Sequence, residues 1–236
     1  MSIKTLILTG EGINCEIETA DAFKQAGSET TIMHLSDFLN LANLDQFDIM
    51  ASPGGFSYGD EIRSGKIVAE FILHHQKENI FKFIEQGKPI IGICNGFQIL
   101  TQLGVFASNL KNQFTLTKND HGQFINQWAT LETKKSHCLW TKGLALETLY
   151  MPIRHKEGRI VGNVKTENIV LSYTINENGS LDKTAGMTND QGNVLGLMPH
   201  PEAALYDFLL PHLKNKSILN RSIFKNAVEY AQGKKP

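Results

Sequence analysis

The chain has 236 residues, 41% of them hydrophobic and 20% charged, with a formal net charge of -1. This suits one large soluble domain, and it excludes any overall electrostatic case for nucleic acid or an anionic membrane. The three cysteines, Cys15, Cys94 and Cys138, are widely spaced with no CxxC pair, so the expectation is a reduced, cytoplasmic setting without a disulfide framework.

The N-terminal MSIKTLILTG carries an apolar run too short for a signal h-region or a membrane span. Within it, Lys4 to Thr9 reads as a strand. IETADAFKQAG follows as an amphipathic helix closed by Gly27. ETTIMHL and FDIMAS read as the next strands. SGKIVAEFILHHQ and NIFKFIEQG read as helices, and PIIGIC as a strand buried on both faces. After Leu103 the segments become strand-like, with turns rich in Asn, Gly and Asp. ENGS and NDQGN read as hairpin turns. SIFKNAVEYAQG is a helical tail. The expected fold is α/β: a mostly parallel sheet flanked by helices, with an added antiparallel β layer in the second half. No repeat or linker divides it, so residues 1–236 are expected to form a single domain.

Gly92-Ile93-Cys94-Asn95-Gly96 fits a thiol form of the nucleophile elbow. A tight strand-to-helix turn presents the thiol at the carboxyl edge of the sheet, and glycine suits the crowded positions on either side. The helix N-terminus favours the thiolate. The Asn95 N–H is placed to meet an oxyanion formed by attack of Cys94 on a carbonyl. A core cysteine acting as a small hydrophobe is the other reading of the motif. Cys15 and Cys138 lack such a frame and read as structural.

A thiol nucleophile needs a base, and the base needs an orienting group. The strand VLGLM ends at Pro199-His200-Pro201-Glu202. The prolines stiffen the turn and hold His200 and Glu202 near where Cys94 emerges, with Glu202 suited to fix the imidazole tautomer. A plain helix-start turn is the alternative. SPGGFSYGD, Ser52 to Asp60, follows a third apolar strand. Its paired glycines let backbone N–H groups approach a ligand, with Gly55 as a second oxyanion donor and freedom of rotation at both glycines. A flexible surface loop is the alternative.

Taken together, GICNGFQIL, MPHPE and PGGFSYGD resemble the class I (triad) glutamine amidotransferases. PGGFSYGD and Cys-Asn-Gly-Phe-Gln resemble, within that class, the glutaminase subunits of phosphoribosylformylglycinamidine synthases of purine biosynthesis. INCEIET, PIRHKEGR and the C-terminal third are similar to the same group. The resemblance implies Cys94 as nucleophile, His200 and Glu202 completing the triad, Gly55 and Asn95 as oxyanion donors, and Gln98 lining a glutamine pocket. It implies ammonia delivery to a synthetase subunit, with a small accessory subunit and with ATP and magnesium on the partner. Two stretches depart from the family pattern: His121, Gln123 and Ile125 stand where Ser, Arg and Glu are usual, and Arg154 and Lys156 where small residues are usual.

No cofactor is expected in the chain itself. The nearest P-loop spacing, Gly59 to Ile67, has one residue too many and lacks the Ser/Thr. GEGINC ends in Cys15 rather than glycine, and His34 stands where a ribose-binding acid is wanted. No His/Cys spacing suggests a metal. Two other readings stay open: an amidotransferase serving a different synthetase, and a stand-alone cysteine hydrolase.

Overall fold

The computed structural model describes residues 2–60, 65–107, 113–211 and 217–233. β1 (Ile3–Thr9) leads through α1 (Glu16–Gln25) to β2 (Ser28–His34) and α2 (Leu35–Leu39). β3 (Ile49–Ser52) precedes α3 (Lys66–His75) and α4 (Lys77–Glu85), and β4 (Ile90–Ile93) runs into α5 (Asn95–Leu103). Strands then dominate: β5 (Phe114–Thr117), β6 (Ile125–Thr133), β7 (Thr148–His155), β8 (Arg159–Gly162), β9 (Ile169–Tyr173), β10 (Thr184–Thr188) and β11 (Val194–Leu197). α6 (Ser217–Ala231) follows.

Nine strands form one sheet in the order β2-β1-β3-β4-β11-β10-β9-β6-β7. The first five are parallel. The remaining strands continue it antiparallel. Most of the expected antiparallel layer is therefore an extension of the same sheet. Only β5 and β8 stand apart, as a two-stranded antiparallel sheet. The NDQGN turn joins β10 to β11, and ENGS lies between β9 and β10, as the turn chemistry predicts.

Burial explains the strand sequences. All four side-chain positions of β3 and of β4 are buried, and their IMAS and IIGI are accordingly apolar or small. β2 lies at the edge, and most of SETTIMH is exposed or half-buried. α2 escapes a sequence reading because LSDFL is too short to show a helical period; His34 caps it, its Nδ1 accepting from the Ser36 N–H at 3.3 Å. The expected helix from Ser64 begins outside the described residues, as does part of the Gly59 to Ile67 spacing. α6 packs through Phe224 onto Phe23, ring centroids 5.2 Å apart, and Phe23 meets Trp140 edge-on at 6.4 Å. Among the described residues no helix is long and apolar enough to cross a membrane.

Ile91 is fully buried at the centre of β4. Ile91→Ala is expected to cost about 2–5 kcal/mol of unfolding free energy. Urea denaturation reads this as a lowered midpoint with an unchanged slope.

Candidate active site

Four connections meet at the carboxyl edge of the parallel strands, where ligand sites of such sheets lie. Beyond β1, the Asn14 and Cys15 N–H groups donate to the Gly54 carbonyl at 3.2 and 3.3 Å, and the Phe56 N–H returns to the Gly12 carbonyl at 2.7 Å. Ile13 and Gly55 form an isolated antiparallel bridge. Gly55 has φ +151, and a Cβ there would lie 2.3 Å from the Gly12 carbonyl oxygen. The expected free rotation at the paired glycines is therefore absent: this loop is stapled to the one after β1. The Gly55 N–H itself donates to no acceptor among the described residues.

Cys94 stands between β4 and α5 with φ 50 and ψ -105. A non-glycine residue there carries roughly 1–3 kcal/mol of backbone strain, held in place by its surroundings. Its N–H donates to the Leu197 carbonyl at 2.8 Å, tying the elbow to β11. A side chain at Gly96 would put its Cβ 1.8 Å from the Ser52 carbonyl oxygen, and one at Gly92 would meet the Gly96 carbonyl at 2.6 Å. The thiol is 4% exposed and faces the Arg154 carbonyl at 3.7 Å. Asn95 opens α5, so its N–H has no intrahelical acceptor.

His200 follows β11, its N–H donating to the Pro152 carbonyl at 2.9 Å. Its Nδ1 meets Glu202 Oε1 at 2.6 Å, with both side chains buried. Burial opposes the imidazolium most strongly, but the Glu202 carboxylate and the Cys15 and Cys94 thiols together outweigh it. His200 is held well above the ordinary histidine range. Its Nε2 and Glu202 Oε2 lie within no hydrogen-bonding geometry among the described residues. A buried imidazolium that interacts with a thiol at a helix N-terminus is an arrangement for stabilising thiolate.

The structure thus brings Cys94, His200 and Glu202 together, with Gly55 on the loop after β3 and Asn95 at the start of α5 beside them. Gln98 is buried one turn along α5. Its amide is already engaged: Oε1 accepts from Asn95 Nδ2 at 3.0 Å, and Nε2 donates to the Glu157 carbonyl at 2.5 Å. Cys138 is buried, as a structural cysteine should be. Cys15 is not remote. Burial raises its thiol pKa, His200 partly offsets the rise, and a Cβ on Gly54 would touch both the Cys15 sulfur, at 3.3 Å, and the His200 ring, at 2.7 Å. Cys15, His200 and Glu202 bring donor atoms within 4.8 Å of one another. The close Nδ1–Oε1 hydrogen bond already uses two of those donors.

Of the departing residues, His121 lies in the exposed turn before β6 and Ile125 opens β6 opposite His155; Arg154 and Lys156 flank His155 with exposed side chains. His155 itself is 2% exposed. Asn119 binds its ring at 3.1 Å; His155 lies within the PIRHKEGR stretch that carries the resemblance, but no local pattern marks either residue as buried.

Residues 2–231 match the model of the CobB/CobQ-like glutamine amidotransferase domain. The chain belongs to that family. This amidotransferase is 37% identical to phosphoribosylformylglycinamidine synthase subunit PurQ of Methanococcus maripaludis strain C5, over 96% of this chain and 98% of the relative. It is likewise 37% identical to the subunit so named in Dehalococcoides mccartyi, over 98% of each. Among solved structures it resembles a chain of PurLQS from Thermotoga maritima, with a TM-score of 0.83 and 32% identity over 98% of this chain and 99% of that one.

Burial, with the neighbouring His200 and His121 charges, pushes the His155 pKa down from 6.5 to about 3. The unfolded amidotransferase therefore takes up this proton first as pH falls. Stability from the neutral ring is complete above 6.5 and is lost progressively toward 3. Between about pH 7 and pH 5 the native chain should lose about 2 kcal/mol more than His155→Gln does, measured by denaturant unfolding of both.

Proposed function

We propose that the chain is the glutaminase subunit of a phosphoribosylformylglycinamidine synthase, with residues 1–236 as a single amidotransferase domain. What carries this reading is the buried 2.6 Å His200–Glu202 pair beside the strained Cys94, in a chain alike along nearly its whole length to PurQ relatives.

In this reading the Cys94 thiolate attacks the side-chain amide carbon of glutamine. The new oxyanion takes hydrogen bonds from the Asn95 and Gly55 N–H groups, each worth about 3 kcal/mol. Gln98 helps line the pocket. As the C–N bond breaks, His200 Nε2 gives its proton to the leaving ammonia, and a glutamyl thioester remains on Cys94. His200, now neutral, takes a proton from water, and the hydroxide releases glutamate. Glu202 keeps the ring oriented and stabilises its charged form throughout.

Ammonia then passes to a synthetase subunit, which uses ATP and magnesium to convert formylglycinamide ribonucleotide to the formylglycinamidine. A small accessory subunit completes the assembly. The chain has no role for nucleic acid or membrane and works in the cytoplasm.

Cys94→Ala should abolish glutamine use while sparing ammonia-dependent synthesis by the complex. A glutamine analogue bearing an electrophile should label Cys94 and leave Cys15 and Cys138 unmodified. Label on either of those would overturn the assignment, and Cys15 is the stringent control because it adjoins His200. In the same assay His200→Asn should be nearly inactive, whereas Glu202→Gln should keep measurable turnover, since an orienting group costs less to lose than a base.

A partner that needs ammonia only when its own substrate is bound calls for a quiet isolated subunit. The two stapled loops that carry Cys15 and Gly55 are the natural receiver: docking that shifts them together moves the Gly55 donor. Misalignment of one donor lowers rate by on the order of 10²–10³. Glutaminase turnover should therefore rise when the synthetase subunit and its ligands are added to the pure chain. Full turnover in the pure chain, indifferent to the partner, would rule out this gating.

A further inference from the structure

The turn between β7 and β8 faces the nucleophile. The Arg154 carbonyl lies 3.7 Å from the Cys94 sulfur, and the Glu157 carbonyl receives the Gln98 amide. The far side of this turn is held by Asn119, a buried residue more than thirty positions upstream.

Every polar group of Asn119 is committed. Its main-chain N–H donates to the Lys156 carbonyl at 2.8 Å, and its own carbonyl accepts from the Gly122 N–H at 2.9 Å. Its Nδ2 donates to the carbonyls of His155, at 3.0 Å, and Gln123, at 2.9 Å. With Nδ2 so placed, the amide orientation is settled, and Oδ1 is the acceptor for His155 Nδ1 at 3.1 Å and the Gly158 N–H at 3.3 Å. The His155 proton is thereby fixed on Nδ1. The ring presses on Gly158, where a Cβ would come within 2.4 Å of Cε1 and Nδ1. Asn178 Nδ2 closes the far side of the turn by donating to the Gly158 carbonyl at 2.9 Å. Past Asn119 on the β5–β6 connection, Phe124 packs on Phe56 of the Gly54–Gly55 loop, centroids 6.0 Å apart.

We propose that Asn119 is a positioning residue for glutamine binding. It has no part in the proton transfers. It locks His155 and Gly158 so that the Arg154–Gly158 main chain and the Gln98 amide form a preset wall opposite Cys94. The proposal rests on the reading of Cys94 as nucleophile and Gln98 as pocket residue. A wall held in place acts on substrate affinity more than on chemistry, and displacement by about 1 Å costs up to about a hundredfold in rate.

The test uses Asn119→Ala and, because loss of its buried hydrogen bonds can impair folding, also Gly158→Ala, which displaces the same turn by crowding the His155 ring. Both are assayed in the complete complex. Each should raise KM for glutamine roughly tenfold to a hundredfold with a smaller fall in kcat. Each should keep the wild-type rate of Cys94 alkylation by iodoacetamide, a small reagent that needs no glutamine pocket, and also keep ammonia-dependent synthesis. An unchanged KM in both variants, or a KM increase matched by equal loss of alkylation and of kcat, overturns the proposal. Cys94→Ala run alongside separates the two levels: glutamine turnover that survives it defeats the parent reading, whereas its loss together with an unchanged KM in the Asn119 and Gly158 variants defeats this one alone.

Discussion

The close approach of α5 to the end of β3 is the constraint on which the site depends. With only hydrogen at Gly96, the helix backbone can settle against the Ser52 carbonyl, where any side chain would sit 1.8 Å from that oxygen. The chain leaving β4 then has no room for an ordinary turn. It reverses at Cys94 in a conformation with positive φ, and the thiol is delivered to the sheet edge at the mouth of the helix. Apolar burial along β3 and β4 stabilises the elements enough to hold that strained residue. The strain is thus a local cost carried by a packed core, and the geometry of the nucleophile is set by backbone contacts rather than by its own side chain.

Electrostatics follows from the same crowding. His200 and Glu202 are buried together, and an isolated charge on either would be costly there. As a pair they support each other, and the surrounding thiols add to the advantage of the protonated ring. The charged imidazole is thereby held beside the Cys94 thiol. Gly54 makes this compact arrangement possible, since its missing side chain leaves the space that the His200 ring and the Cys15 sulfur share.

Much of this was legible in the sequence because it depends on local spacing. Gly-x-Cys-x-Gly after an apolar run reports a steric requirement, and Pro-His-Pro-Glu after another reports where a stiff turn puts two polar groups. The parallel half of the sheet was legible from its buried runs. The position of the antiparallel strands was not: hairpin turns show that neighbours pair, but not that β11 will join β4 or that β6 will pair with β9. Cys15 was read as structural because its neighbours carry no glycine frame. It reaches His200 through the pairing of two loops about forty residues apart, which no local pattern encodes. Asn119 was invisible for the same reason, since the His155 ring and the main-chain groups it binds belong to a segment more than thirty residues away.

The place of β11 has a consequence for biosynthesis. This strand is made after every other strand of the sheet, yet it lies inside it, between β4 and β10, and Asn193 at its start reaches back 109 residues to the Ile84 carbonyl. While the polypeptide is still emerging, β4 therefore has an unpaired edge, and the elbow lacks the Leu197 carbonyl that receives the Cys94 N–H. Such distant pairings close slowly, and an open apolar edge invites association with other chains. The same insertion brings His200 and Glu202. In a nascent chain the Cys94 thiol therefore lacks its buried His200 and Glu202 neighbours until the strand that completes the sheet has inserted.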